Sequence, residues 1–82
     1  MSKTPIILGI DPGTQILGFA VLLGGAQPSV VIMDVLKMTK EKDIYARLQM
    51  IYAKMIDLIE TYQPTDFAIE SPFFGKNIQS ML

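Results

Sequence analysis

The chain has no cysteine and no histidine among its 82 residues. Without cysteine there is neither a disulfide scaffold nor a thiolate zinc site, a composition that fits a reducing compartment. Without histidine there are no imidazole ligands and no general base of the usual kind at neutral pH. A metal held by this sequence is therefore held by oxygen, which suits Mg²⁺ or Mn²⁺. Surplus positive charge is missing too. Seven basic and eight acidic side chains leave a net charge of −1, so no overall field draws in a polyanion, and contact with nucleic acid must come from a local patch or from another chain. Apolar runs break at Gly, Asp or Lys well short of the roughly 18 residues that span a bilayer. The start lacks a basic segment followed by a hydrophobic signal core. The expectation is a soluble, cytoplasmic protein.

Half of the residues are apolar. That supplies one core, although so short a domain buries a modest fraction of its surface and is marginal alone. One domain, or part of one, is expected. Two stretches then stand out: Ile6-Ile7-Leu8-Gly9-Ile10-Asp11-Pro12-Gly13-Thr14 and Asp66-Phe67-Ala68-Ile69-Glu70. Each is an apolar run that closes on a carboxylate, the pattern of a buried strand carrying its charge just past the edge of a sheet.

The order of elements brings these acids together. Residues 5–10 predict a first strand, 11–14 a turn whose Gly13 supplies permissive backbone angles, and 16–23 a strand returning antiparallel to the first. The break at Gly24-Gly25-Ala26-Gln27-Pro28 precedes a third strand over 29–37, rich in β-branched residues. From 41 to 62 the period becomes helical: Ile44, Leu48, Ile51, Met55, Leu58 and Tyr62 form an apolar seam, widened by Tyr45, Tyr52, Ile56 and Ile59. Gln63-Pro64 stops the helix, and residues 65–70 predict a fourth strand. A helix crossing back to a strand parallel to the first sets strands one and four side by side, with their carboxyl ends on one edge. Residues 76–82 begin a further amphipathic segment.

Asp11 and Glu70 each have a plain structural role available, Asp11 in bonding its own turn and Glu70 as a solvated strand end. Placed together about 4.8 Å apart they would repel unless a cation sat between them, and this favours a metal site. Two carboxylates hold Mg²⁺ weakly and are too few for a pair of ions, so the site looks incomplete. Phe73, Lys76 and Asn77 follow in a loop. An aromatic that stacks on or wedges beside an unpaired base, next to a lysine on a phosphate, suits nucleic acid; packing of either Phe under the sheet is the alternative. Lys37, Lys40 and Lys42 read most simply as the solvated start of the long helix, with contact to DNA as the alternative, and Asp34 and Asp66 read as edge and turn residues rather than ligands.

From Ile6 to Leu82 these residues resemble the RuvC family of Holliday junction resolvases, the crossover junction endodeoxyribonucleases. The likeness is most specific at Gln63-Pro64, Phe67-Ala68-Ile69-Glu70, Phe73, Lys76-Asn77 and Ser80, and extends to Ile6-Leu8-Gly9-Ile10-Asp11-Pro12-Gly13, Gly18, Arg47-Leu48 and Ile51-Tyr52. It implies an α/β, ribonuclease H-like fold, with strands 1–3 as an antiparallel meander, a crossover helix and strand 4 parallel to strand 1. The chain would be the amino-terminal part of a single nuclease domain. Asp11 and Glu70 would be catalytic, Mg²⁺-binding carboxylates with Mn²⁺ as a substitute, and Phe73, Lys76 and Asn77 would lie on DNA. Implied partners are four-way junction DNA, a second copy of the full-length protein, and the branch-migration helicase RuvA-RuvB. Gln15 stands where many members have arginine, and Ser71-Pro72 replaces a more frequent glutamine-containing pair. Two further acids that the family carries on a late helix have no counterpart, so these 82 residues are expected to be inactive alone. Two other readings of the motifs are an ATP-binding fragment like those of actin, Hsp70 and sugar kinases, and a noncatalytic DNA-binding module of the same fold.

Overall fold

The computed structural model describes residues 4–13 and 15–69. They run as β1 (Ile6–Asp11), β2 (Ile16–Leu23), β3 (Ser29–Lys37), α1 (Ile44–Tyr62) and β4 (Asp66–Ile69). The strands form one mixed sheet in the order β3-β2-β1-β4, with β1 antiparallel to β2 and parallel to β4. This is the predicted meander and crossover: α1 carries the chain from the β3 edge back to the β4 edge.

Period-two alternation puts the core on one face of the sheet. Leu8 and Ile10 of β1, Leu17, Phe19 and Val21 of β2, and Met38 just after β3 are buried there with Leu58 of α1. Met50, Ile51, Met55 and Tyr62 pack around them from the helix, and the Lys54 ammonium lies 5.5 Å from the centroid of the Phe19 ring. Full burial of a side chain like Leu58 contributes about 1.5–3 kcal/mol. No helix among the described residues is long and apolar enough to cross a membrane.

The helix departs from expectation in two ways. It starts at Ile44 rather than at residue 41, because Asp43 serves as its N-cap. The Asp43 carboxylate accepts a hydrogen bond from the Tyr45 backbone N–H at 3.2 Å, and Glu41 Oε1 accepts one from the Asp43 N–H at 3.1 Å. The predicted seam also rotates off the sheet in its first half, leaving Ile44 and Leu48 58% and 55% exposed. Arg47 takes the inward position there, its Nε donating to the Glu41 carbonyl. The apolar arc of α1 is wider than one sheet face covers, so Tyr45 and Tyr52 stay exposed as well. The helix ends as predicted: Gln63 adopts the left-handed conformation at φ 50° and its N–H bonds the Ile59 carbonyl at 2.9 Å, ahead of Pro64.

β4 was expected to be buried and is instead exposed along its length. Its two core-side residues, Phe67 and Ile69, are 52% and 69% exposed. The opposite face of the sheet is lined by small residues. Gly9, Gly18, Ala20 and Ala68 floor an open groove of about 540 Å³, walled by Met33 and Val35, with Asp11 at one end.

Candidate active site

Asp11 is the last residue of the central strand and pairs with Gly18 of β2. The alternation that buries Leu8 and Ile10 turns Gly9 and Asp11 to the groove face, and Asp11 is exposed there. Its carboxylate makes no hydrogen bond or ion pair with any described residue. The turn after it is tight. A Cβ built on Gly13 would stand 2.5 Å from the Ile16 carbonyl oxygen, so this glycine is required by a close approach of backbone. It is not required by a left-handed φ, because Gly25 is the only described glycine with one. The sequence signal, Pro-Gly after an acid, was legible, but its steric reason was not.

β4 delivers its carboxyl end to the same edge. The parallel register runs Ile7↔Asp66, Leu8↔Phe67, Gly9↔Ala68 and Ile10↔Ile69. Thr65 anchors it at the far end: its N–H donates to the Ile6 carbonyl at 2.8 Å, and its hydroxyl accepts from the Ile6 N–H at 3.0 Å while donating to the Asp66 carboxylate at 2.9 Å. Asp66 therefore sits at the opposite edge from Asp11. Asp34 bonds the neighbouring Val35 N–H at 2.8 Å. Neither converges with Asp11, in keeping with their reading as edge and turn residues. Glu70, Phe73, Lys76 and Asn77 lie outside the described residues. Among those described, no three acids gather as a metal cluster.

A feature of this edge that sequence reasoning assigned elsewhere is the loop leaving β3. Lys37 pairs with Ile16, and the Met38 N–H donates to the Gln15 carbonyl at 2.7 Å. The start of the loop after β3 is thereby tied to the turn that follows Asp11. The groove floor was also unremarked, although Gly9 and Asp11 on β1 and Gly18 and Ala20 on β2 show it as a period of two.

The sheet order and crossover define a ribonuclease H-like domain, and comparison with solved structures agrees. "Thermus thermophilus RuvC structure" superposes with a TM-score of 0.71 at 24% identity, over 83% of this chain and 46% of that one. "T. thermophilus RuvC in complex with Holliday junction substrate" gives 0.70 at 23%, over 79% and 41%. The family model for "Crossover junction endodeoxyribonuclease RuvC" matches residues 7–82. The chain belongs to the RuvC family. Among its relatives, the RuvC of Christiangramia forsetii is 50% identical over 78 residues, covering 94% of this chain and 41% of its own length, and that of Bacteroides fragilis is 47% identical over 81 residues, covering 98% and 43%. The chain thus spans about two fifths of the length of these curated relatives.

Proposed function

We propose that these 82 residues are the amino-terminal part of a single nuclease domain, and that the whole protein resolves four-way DNA junctions in recombination and repair by metal-dependent phosphodiester hydrolysis. The observation that carries this reading is the β1–β4 register. Its last pair is Ile10↔Ile69, and the next residues in sequence are Asp11 and Glu70. Continued by one step, that register would make them neighbours at the strand spacing of about 4.8 Å, which supports a shared site. The choice of substrate is supported by the family and by the Thermus relative solved with a Holliday junction.

In this reading Asp11 and Glu70 are the catalytic carboxylates that hold Mg²⁺, with Mn²⁺ as a substitute. The donor set fits: an exposed, unpartnered carboxylate at a strand end and a sequence whose ionisable ligands are all oxygen. When bound, the ion supplies activation of water and stabilisation of charge at the phosphodiester. The chain's own residues do the positioning. Asp11 rides on the end of β1, paired there with Gly18 of β2; Phe73 stacks on or wedges beside an unpaired base, and Lys76 and Asn77 hold neighbouring backbone. The whole protein works in the cytoplasm as a homodimer beside RuvA-RuvB. These residues alone are inactive, because two acids would be too few to hold the pair of ions that an in-line displacement uses.

The test is cleavage of a synthetic four-way junction by the full-length protein carrying Asp11→Asn or Glu70→Gln. Each variant should lose cleavage by about 10³-fold or more while binding the junction as tightly as the unmodified protein. Retained cleavage removes the residue concerned from the catalytic pair. Junction binding that survives in a protein with no metal-dependent cleavage at all would favour the noncatalytic module.

A further inference from the structure

We infer that the β3–α1 loop is a clamp for DNA backbone phosphates, in which Lys37, Lys40 and Lys42 hold the strand that passes Asp11. The inference rests on the proposed nuclease reading and adds the residues that guide the strand to its centre. Three of the chain's seven basic side chains fall within this span of six residues. Sequence alone made them the solvated start of a helix, but α1 begins only at Ile44, and all three belong to the loop and strand end before it.

Topology brings the loop to the catalytic edge. β1 and β3 both run antiparallel to β2, so their carboxyl ends share one edge of the sheet. Lys37 pairs with Ile16, Val35 with Gly18, and Gly18 in turn with Asp11. By the alternation of the strands Lys37 and Asp11 then lie on the same face. Two strand spacings across and two residues along put their Cα atoms about 12 Å apart. With one phosphate per about 3.4 Å of axis along each strand, a few nucleotides cover that distance.

The loop is built, and its acids are hydrogen-bonded to backbone rather than paired with its lysines. Met38 is buried and tied to Gln15, and the Glu41 N–H closes a turn on the Met38 carbonyl at 3.1 Å. The Glu41 carboxylate accepts from the Asp43 N–H and the Asp43 carboxylate from the Tyr45 N–H. Both negative charges are thus engaged with backbone at the helix start. Lys37, Lys40 and Lys42 are exposed, and none makes an ion pair with a described residue. A fixed loop presenting ammonium groups beside a carboxylate centre on an otherwise acidic chain suits a polyanionic strand, which the net charge of −1 would otherwise repel.

The experiment measures junction affinity of the full-length protein against salt, from 50 to 200 mM, with chelator present so that no cleavage occurs. Neutralising three phosphate contacts, as in Lys37→Gln/Lys40→Gln/Lys42→Gln, should lower the slope of log K against log salt by about 2.7, so that the unmodified protein loses roughly 40-fold more affinity than the variant across that range. Each single Lys→Gln change should lower it by about 0.9, and the triple Lys→Arg variant should keep the original slope. An unchanged slope in the triple variant overturns the clamp and leaves the nuclease reading standing, as does weaker binding with the slope preserved. Failure of the unmodified protein to bind the junction overturns both.

Discussion

Gly13 has no room for a side chain, and that fixes the path of the chain directly after Asp11. Alanine there would press its methyl to 2.5 Å from the Ile16 carbonyl oxygen, a contact relieved only by moving backbone. Gly13→Ala should therefore destabilise the full-length protein by about 1–3 kcal/mol in urea unfolding, and should slow junction cleavage by displacing the Asp11 carboxylate. Unchanged stability would mean the turn relaxes without cost. At this scale the sequence announces which residue matters but not why. Asp-Pro-Gly promises a turn, yet the glycine answers to the carbonyl of Ile16, three residues on, rather than to its own dihedral. Asp11 itself was legible for a simpler reason. A carboxylate closing an apolar run cannot continue into a dry sheet, so it marks the strand end wherever that end falls.

Among the elements, β4 is the one on which the proposed site depends, and Thr65 anchors its register. Its backbone and hydroxyl hydrogen bonds to Ile6 fix the amino end of β4 against β1. A slip by one residue would turn every β4 side chain to the opposite face. Thr65→Ala keeps the backbone bond and loses the hydroxyl, so it should cost about 1 kcal/mol of stability, read by thermal melting, together with a fall in cleavage larger than the fall in junction affinity. Equal losses in both would assign Thr65 to stability alone. The predicted bounds of β2 and β3 coincide with the observed strands because Gly24-Gly25 and Pro28 punctuate them sharply. The helix start was not legible, since Glu41, Lys42 and Asp43 suit a helix as well as a cap, and only the hydrogen bonds made by Glu41 and Asp43 decide it. The seam failed at Ile44 and Leu48 because helical periodicity reports how wide an apolar arc is, not how much of it the neighbouring sheet covers.

For the molecule as a whole, the described residues place Asp11, one of the two proposed metal ligands, at one edge of a sheet whose core lies on one face. The uncovered apolar surface, Tyr45 and Tyr52 on α1 with Phe67 and Ile69 on β4, accompanies a chain that spans about two fifths of its relatives' length. Composition could bound the chemistry at this scale: without cysteine or histidine, oxygen ligands and a hard cation were the remaining route. It could not show that the chain carrying Lys37, Lys40 and Lys42 leaves β3 at the same sheet edge as Asp11, because that depends on strand direction. The central claim is that β1 and β4 each bring a carboxylate to the same cation, and Mn²⁺ titration of the full-length protein, followed by electron paramagnetic resonance, tests it most directly. The unmodified protein should bind Mn²⁺, while Asp11→Asn and Glu70→Gln should each weaken that binding at least tenfold. Wild-type affinity in either variant would contradict a shared ion.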